Sequence, residues 1–408
     1  MSSNIKLNDN GWKQQAALFL VSQNISLFGS SVVGFAVLWH ITLTTSSGIW
    51  LMLATICSMV PQVLVSLFGG VLADRYNRKH LIMLADGFIA LATLGLAFSF
   101  LMGFEHIGMI LAVSAVRSIG AGIQGPAVSA IYPQLVPEEQ LTRIQGVNQT
   151  VGSVLLLLSP ALGGALLGSV NIVAAFFVDV ITAALAIGVM SVIRVEKVVS
   201  ATDAMSVISD LKSGVSYTLS HPKLRRIVTC YIISFFLITP AAILTPLMVE
   251  RSFGNEVWRL TANEMVWTVG SLLGGVFVAL RGEFKDKFKA VAICLVGFGV
   301  TFGLLGIAWH FGVYLILMGL AGCFMPVIAT AQTVYIQEIT EPAMLGRTFS
   351  IVQLIASAAM PVGILLFGPL ADVVSVESIL LVSGILLALA GLFYGRKRNR
   401  GFSRYGST

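Results

Sequence analysis

Charge is scarce in this chain. Only 11% of its 408 residues are Asp, Glu, Lys or Arg, while 56% are hydrophobic. Soluble domains carry about 25% charged residues, so a soluble globular protein is excluded. Cysteine is scarce too. Cys57, Cys230, Cys294 and Cys323 fall inside apolar runs at unrelated spacings, which excludes a disulfide framework and a thiolate metal site and leaves small core residues. The five histidines (His40, His80, His106, His221 and His310) stand singly, with no metal-ligand spacing. No Gly-x-x-x-x-Gly-Lys-Ser/Thr loop occurs, and no polar stretch is long enough for a nucleotidase. Energy from ATP bound to this chain is therefore excluded. There is no nucleophile-and-base arrangement, so the chain is read as a non-enzyme without metal or cofactor. The N-terminus from Met1 to Gln15 is polar, and the run that follows is longer and less uniform than a signal h-region; no cleavable signal peptide is expected.

What is abundant is apolar length. Mean hydropathy is +0.90, and runs of the roughly 20 residues needed to cross a hydrocarbon core recur along the chain. Twelve spans are expected, at about 17–43, 49–73, 80–102, 108–131, 142–167, 171–193, 225–248, 259–281, 289–308, 312–335, 347–370 and 374–394. The 40 glycines suit close helix approach in lipid. One long polar stretch, Arg194 to Arg226, separates spans six and seven. Met205, Ile208, Leu211, Val215 and Leu219 recur on one helical face, with Asp210 and Lys212 elsewhere, so an amphipathic helix on the membrane surface is expected. The expected organisation is an N-terminal six-helix bundle over 1–193, a linker over 194–224, and a C-terminal bundle with a basic tail over 225–408.

The basic residues set the orientation. With an even number of spans both termini share a side. Of the 25 Lys and Arg, Arg251 and Arg259 fall on the opposite loops and Arg117 inside a span; the remaining 22 lie on the terminal side. That side is read as cytoplasmic. The basic balance reflects topology and needs no nucleic-acid partner. The halves also repeat. Gly69-Gly70 returns as Gly274-Gly275 at an offset of 205, and Leu141-Thr142-Arg143 as Leu345-Gly346-Arg347 at 204. Parallel repeats are a common transporter plan, with the site near the midplane.

Between spans two and three runs Gly69-Gly70-Val71-Leu72-Ala73-Asp74-Arg75-Tyr76-Asn77-Arg78-Lys79. Its Gly70-x-x-x-Asp74-Arg75-x-x-Arg78-Lys79 pattern resembles the signature loop of the major facilitator superfamily. Asn77 stands where that family usually has Gly, as the next best residue for a left-handed turn. Arg117-Ser-Ile-Gly120-Ala-Gly122 in span four is similar to the family's Arg-containing fourth-helix motif. Gly152, then Ser159-Pro160-Ala161-Leu162-Gly163-Gly164 in span five, resembles the exporter motif, with Ser for its first Gly. Val21-Ser22-Gln23, Leu135 to Thr142, Asp179-Val180 and Leu345 to Ser350 resemble the macrolide-efflux group of drug/proton antiporters; siderophore exporters and lysophospholipid transporters share several of these features.

The resemblance implies an all-α membrane fold of twelve helices in two six-helix bundles. It implies a monomer in the bacterial cytoplasmic (inner) membrane, exporting a hydrophobic or amphipathic compound in exchange for protons, with the proton as coupling ion and the lipid bilayer and a small-molecule substrate as partners. Gly70, Asp74, Arg75, Arg78, Lys79 and Asp86 would form the cytoplasmic gating network, with Asp74 capping a neighbouring helix, the eleventh span. For Arg75, Arg78 and Lys79 a solvated positive loop is the alternative. Arg117, deep in its span, would hold an acid or a substrate dipole. Asp179 and Glu264 are the proton carriers considered; an unpaired carboxyl at mid-depth would keep its proton to near neutral pH. Asp179 could equally be bonded between helices. A cavity on the family plan would draw on Gln23, Asn24, Gln124, Asn148, Gln149, Tyr231, Gln332, Tyr335 and Gln353. Each of these could instead bridge helices. Gly152, Pro160, Gly163 and Gly164 would serve helix packing. A lipid transporter, a siderophore exporter, and a membrane sensor that transports nothing remain as alternatives.

Overall fold

The computed structural model describes residues 11–195, 215–282, 284, 286–341 and 344–396. The side chains of Asp74, Arg347 and Gln353 fall outside that description. The described chain is all-helical. Helices satisfy their own backbone groups, which hydrocarbon demands.

Six helices make up the first half: α1 (Gly11–Thr45), α2 (Gly48–Arg75), α3 (Arg78–Leu101), α4 (Ile107–Leu135), α5 (Glu138–Ser169) and α6 (Ile172–Val192). Seven follow: α7 (Pro222–Ile243), α8 (Thr245–Phe253), α9 (Val257–Arg281), α10 (Lys287–Leu305), α11 (Phe311–Ile339), α12 (Leu345–Leu370) and α13 (Val376–Arg396). Eleven stretches among the described residues are long and apolar enough to cross a membrane, and α12 adds the shorter apolar stretch Ala358–Leu370. The expected seventh span is two helices, α7 and α8, broken at Leu244. Pro246 has no N–H to donate back to the turn of α7, so the ladder breaks there, and the proline sits in the first turn of α8, where no donor is needed.

The chain divides into two compact units, Met1–Ile41 with Leu53–Asp203, and Thr42–Met52 with Ala204–Thr408. The junction of α1 and α2 therefore clusters with the second unit. Of the expected amphipathic linker, Met205, Ile208, Asp210, Leu211 and Lys212 lie outside the described residues. Val215 and Leu219 sit exposed on a short helix over 215–220.

Glycines bring the helices close. At Gly69 a Cβ would stand 2.7 Å from Gly122 O of α4, and at Gly274 it would stand 2.2 Å from Cys323 O of α11. Their partners Gly70 and Gly275 meet nothing within 4 Å. A Cβ at Gly122 would meet Gln62 O of α2 at 2.8 Å, and one at Gly322 would meet Trp267 O of α9 at 2.5 Å. The second-span residues in these pairs, Gln62 and Gly69 against Trp267 and Gly274, are again 205 apart. In α5, Pro160, Gly163 and Gly164 are buried, with Gly163 against Val32 O of α1 (3.1 Å from its would-be Cβ). Gly152 has open space beside it.

Candidate substrate cavity and buried charge network

Three serines on α1 show how the first unit is stitched together. Ser22, Ser26 and Ser30 recur every four residues, which places them on one helical face. The Ser22 hydroxyl donates to Ala186 O of α6 (2.9 Å), Ser26 to Asp86 Oδ1 of α3 (2.6 Å), and Ser30 to Asp179 Oδ1 of α6 (3.1 Å). The approach is close because Gly29 carries no side chain; a Cβ there would collide with Thr182 of α6.

Seven-residue spacings extend the network in two layers. On α3, Asp86 and Thr93 share a face; on α4, Arg117 and Gln124 do. In one layer Gln124 Nε2 donates to Asp86 Oδ1 (2.9 Å). In the other, Arg117 Nη1 donates to Asp179 Oδ2 and to Thr93 Oγ1, and Thr93 Oγ1 donates to Asp179 Oδ2 (3.0 Å). The Arg117 side chain is 14% exposed and that of Asp179 2%. A buried pair of this kind tolerates loss of either partner badly, because the other charge stays behind unmatched. Asp179 is thus paired, whereas mid-depth protonation was expected of an unpaired acid. Asp86, expected with the signature loop, bonds instead to α1 and α4.

Against this network lies a cavity of about 540 Å³, within the usual range for small-ligand sites. Gln23, Asn24, Ser26, Ser30, Arg117, Gln124 and Asn148 bring polar atoms to it, among apolar residues such as Leu27, Val33, Val37 and Ile89. Asn24 Nδ2 donates to Asn148 Oδ1 (3.2 Å), tying α1 to α5. On the α2 side, Ser118 of α4 accepts from Gln62 N–H (2.8 Å) and donates to Ser58 O (2.8 Å), splicing its hydroxyl into the helix beside Pro61. Tyr132 also lines the cavity, and its buried hydroxyl has no hydrogen-bond partner among the described residues. A buried polar atom left in that state needs an explanation.

Other expected residues lie elsewhere. Gln149 is exposed on α5 and does not line the cavity. In the second unit Tyr231 stacks on Phe235 (ring centroids 5.6 Å apart) in an apolar cluster with Ile227, Val228, Ile336 and Val352, against which Tyr335 packs. Gln332 is buried on α11. Asn263 Nδ2 donates to Glu264 Oε1 (3.4 Å), and Tyr314 OH to Asn263 Oδ1 (2.9 Å). No group of three or more potential metal ligands occurs among the described residues.

The loop between α2 and α3 is built on carbonyl capture. Arg78 donates to Ala73 O (3.0 Å) and Ala130 O of α4 (2.8 Å); Lys79 Nζ donates to Ser191 O (2.6 Å) and Ile193 O (2.7 Å) at the end of α6. A cation there meets both free carbonyls and the negative end of the helix dipole. Asp74 lies in the last turn of α2, and Arg75 is exposed. Asn77 is not left-handed, as its place in the loop suggested. Its backbone is extended (φ −67°), and its side chain caps α3 by accepting from Lys79 N (3.0 Å).

A second polar cluster holds the α1–α2 junction inside the second unit. Asp372, just past α12, accepts from Gly48 N (2.6 Å), Ile49 N (3.0 Å) and Ser47 Oγ (2.7 Å). Arg251 Nη2 donates to Asp372 (3.2 Å) and to Ser46 O (2.5 Å), and its Nη1 to Ala371 O (2.6 Å). Burial pushes the Asp372 carboxyl up, but the bonds from Gly48, Ser47, Ile49 and Arg251 outweigh it and leave the group below its ordinary value. Ser46 holds a left-handed backbone (φ 45°), and its hydroxyl donates to Glu250 (2.6 Å).

Residues 13–403 match the family described as transmembrane secretion effector. The chain is 28% identical to macrolide efflux protein A of Streptococcus pyogenes, over 93% of this chain and 94% of that one. It is 22% identical to the staphyloferrin A transporter of Staphylococcus aureus, over 93% and 96%. Among solved structures, a peptide transporter POT aligns with a TM-score of 0.74 at 13% identity, over 94% of this chain and 93% of that one. A nucleoside transporter NupG aligns at 0.73 and 12%, over 94% and 99%. At those identities the structural likeness bears on the fold alone. The family match spans nearly the whole chain, and with it the twelve-helix duplication and the signature loop take their place: the chain belongs to the transmembrane secretion effector family of major facilitator transporters.

Proposed function

We propose that the protein is a secondary active exporter. It moves a hydrophobic or amphipathic small molecule out of the cytoplasm in exchange for protons, by alternating access. The observation that carries this reading is the cavity of the first unit, where apolar walls meet a few amides and hydroxyls and one guanidinium. Apolar surface gives such a ligand affinity, and sparse polar groups orient it. Tyr132 adds a free hydroxyl for a ligand acceptor. The macrolide efflux relative, and the multidrug efflux pump Tap of Mycolicibacterium fortuitum at 22% identity, support the drug-like class.

The membrane is the bacterial inner membrane, with both termini and the basic loops in the cytoplasm. The protein works as a monomer. Asp74, with Gly70, Arg75, Arg78 and Lys79, forms the cytoplasmic latch; Arg78 and Lys79 already hold α4 and α6 by their carbonyls. A membrane-embedded carboxyl couples the proton close to the Arg117 network, with Glu264 the candidate in the second unit.

The test is purified protein in proteoliposomes under an imposed pH gradient, paired with susceptibility of a pump-deficient strain across a panel that includes macrolides. Uphill, gradient-dependent movement and reduced susceptibility are expected. A strain unchanged toward every compound, with no gradient-driven flux, would sink the exporter reading.

A further inference from the structure

Two buried carboxyls sit in adjoining polar layers of the first unit, and their surroundings differ in kind. Both oxygens of Asp179 are engaged. Oδ1 accepts from Ser30, and Oδ2 from Thr93 and from Arg117. A guanidinium does not release its proton in a protein, so protonating Asp179 would strand a buried cation. Asp86 is as deeply buried, at 2% exposure, yet its donors are neutral. Ser26 and Gln124 both aim at Oδ1, and no donor among the described residues reaches Oδ2.

That is the hydrogen-bond pattern of a carboxylic acid in its neutral form. A carbonyl oxygen accepts twice, and the other oxygen carries its own hydrogen. The charged groups around it agree. From α1 comes Ser26, the one α1 donor to Asp86 among the described residues. From α4 come Gln124 and Arg117, and Arg117 is committed to Asp179. From α6 comes Asp179 itself, a like charge already matched by Arg117.

We infer that Asp86 is the residue that carries the exchangeable proton in the first unit, while Arg117 and Asp179 form a fixed ionic clamp that positions the cavity wall. Ser26 and Gln124 line the cavity and stand between it and Asp86. On release, the Asp86 O–H bond breaks, its proton passes to water in the cavity, and the carboxylate left behind keeps both neutral donors. Reprotonation reverses the step. The exchange serves transport only if the exporter reading holds, so its role rests on that reading; the protonation itself does not.

Infrared difference spectra of the full-length protein, recorded as pH is stepped, test the assignment without a substrate. Wild type is expected to show a carboxylic C=O band that fades as pH rises. Asp86→Asn, which keeps an acceptor for Ser26 and Gln124, should lose that band, and Asp86→Glu should restore one. Labelling with dicyclohexylcarbodiimide, which attacks protonated carboxyls in apolar surroundings, should modify Asp86 and spare Asp179. A band that survives unchanged in Asp86→Asn, or a label found on Asp179, overturns the proposal. In proteoliposomes Asp86→Asn should lose accumulation driven by the pH gradient by at least tenfold while downhill efflux continues. If wild type moves no compound but the band behaves as expected, the exporter reading fails and the protonation stands.

Discussion

In the first unit Gly122 of α4 lies over Gln62 of α2; in the second, Gly322 of α11 lies over Trp267 of α9. Asn77 caps α3 by accepting from Lys79 N, and Asp286 caps α10 by accepting from Lys289 N (2.9 Å). A cation also ties down the end of the last helix in each unit, though from different places: Lys79 of α3 on Ser191 and Ile193, and Arg226 of α7 on Tyr394 O (2.9 Å). Backbone geometry is therefore duplicated. Side-chain chemistry is not. The first unit buries Asp86 and Asp179 beside a cavity; in the second, Glu264 is half-buried next to Asn263, and the buried polar residues described there, such as Asn263, Gln332 and Thr301, are uncharged. Where Lys79 meets only carbonyls, Arg226 also lies over the stacked rings of Phe288 and Tyr394. Close packing fixes the backbone in both copies, which leaves the polar interior free to diverge.

The largest effect should come from breaking the buried pair. Arg117→Met leaves Asp179 without its cation and should cost about 3–5 kcal/mol. In the second unit, Asn263→Ala removes the acceptor of the Tyr314 hydroxyl but leaves Thr245 beside it, and should cost about 1 kcal/mol. Thermal unfolding in detergent ranks the two; equal losses would erase the contrast between the two interiors. Next come the glycines. Gly274→Ala should destabilise more than Gly69→Ala, because the new methyl meets backbone at 2.2 Å in one case and 2.7 Å in the other. Overpacking of this order costs about 1–3 kcal/mol. Gly70→Ala and Gly275→Ala should be nearly silent, and a large loss from either would refute the assignment of which glycine packs.

Smaller again is Tyr132→Phe. With no partner to lose among the described residues, folding stability should hold or rise slightly. Ligand affinity should fall several-fold, as for the loss of one hydrogen bond of about 1 kcal/mol; unchanged affinity across a substrate panel would remove the hydroxyl from the site. The smallest effect concerns pH. The Asp372 carboxyl sits below the ordinary carboxylate value of about 3.9. Its contribution is therefore complete above that value and fades as pH falls through the lower folded one. Unfolding midpoints of wild type should drop in that acid window, and Asp372→Asn should lack this component of the slope.

Much of the fold is written in composition, because hydrocarbon admits few alternatives to long apolar helices. The duplication was visible in the paired glycines. Which glycine packs was not, since that depends on how each helix is rotated about its axis. The same rotation hid the partnership of Asp86 with Gln124, although the seven-residue spacings on α3 and α4 and the four-residue serine ladder of α1 were there to be read together. Gln23, Asn24, Gln124 and Asn148 were legible as cavity residues because amides stand out in apolar helices. Tyr132 has the sequence setting of an ordinary core aromatic, so nothing there marks it as a cavity residue. Pro246, inside an otherwise continuous apolar run, is the sequence mark of the break at Leu244.

Asp372 fastens Ser47, Gly48 and Ile49 across 323 to 325 residues of sequence. A ribosome adding roughly 5–20 residues per second needs some tens of seconds to travel that far. Throughout that interval the first amides of α2 lack their acceptor, and Arg251 is made before the carboxylate it will hold. The α1–α2 junction thus cannot reach its final form until the eleventh apolar stretch has been made. It should be among the last parts of the protein to mature and, in a chain truncated before residue 372, among the first exposed to a protease.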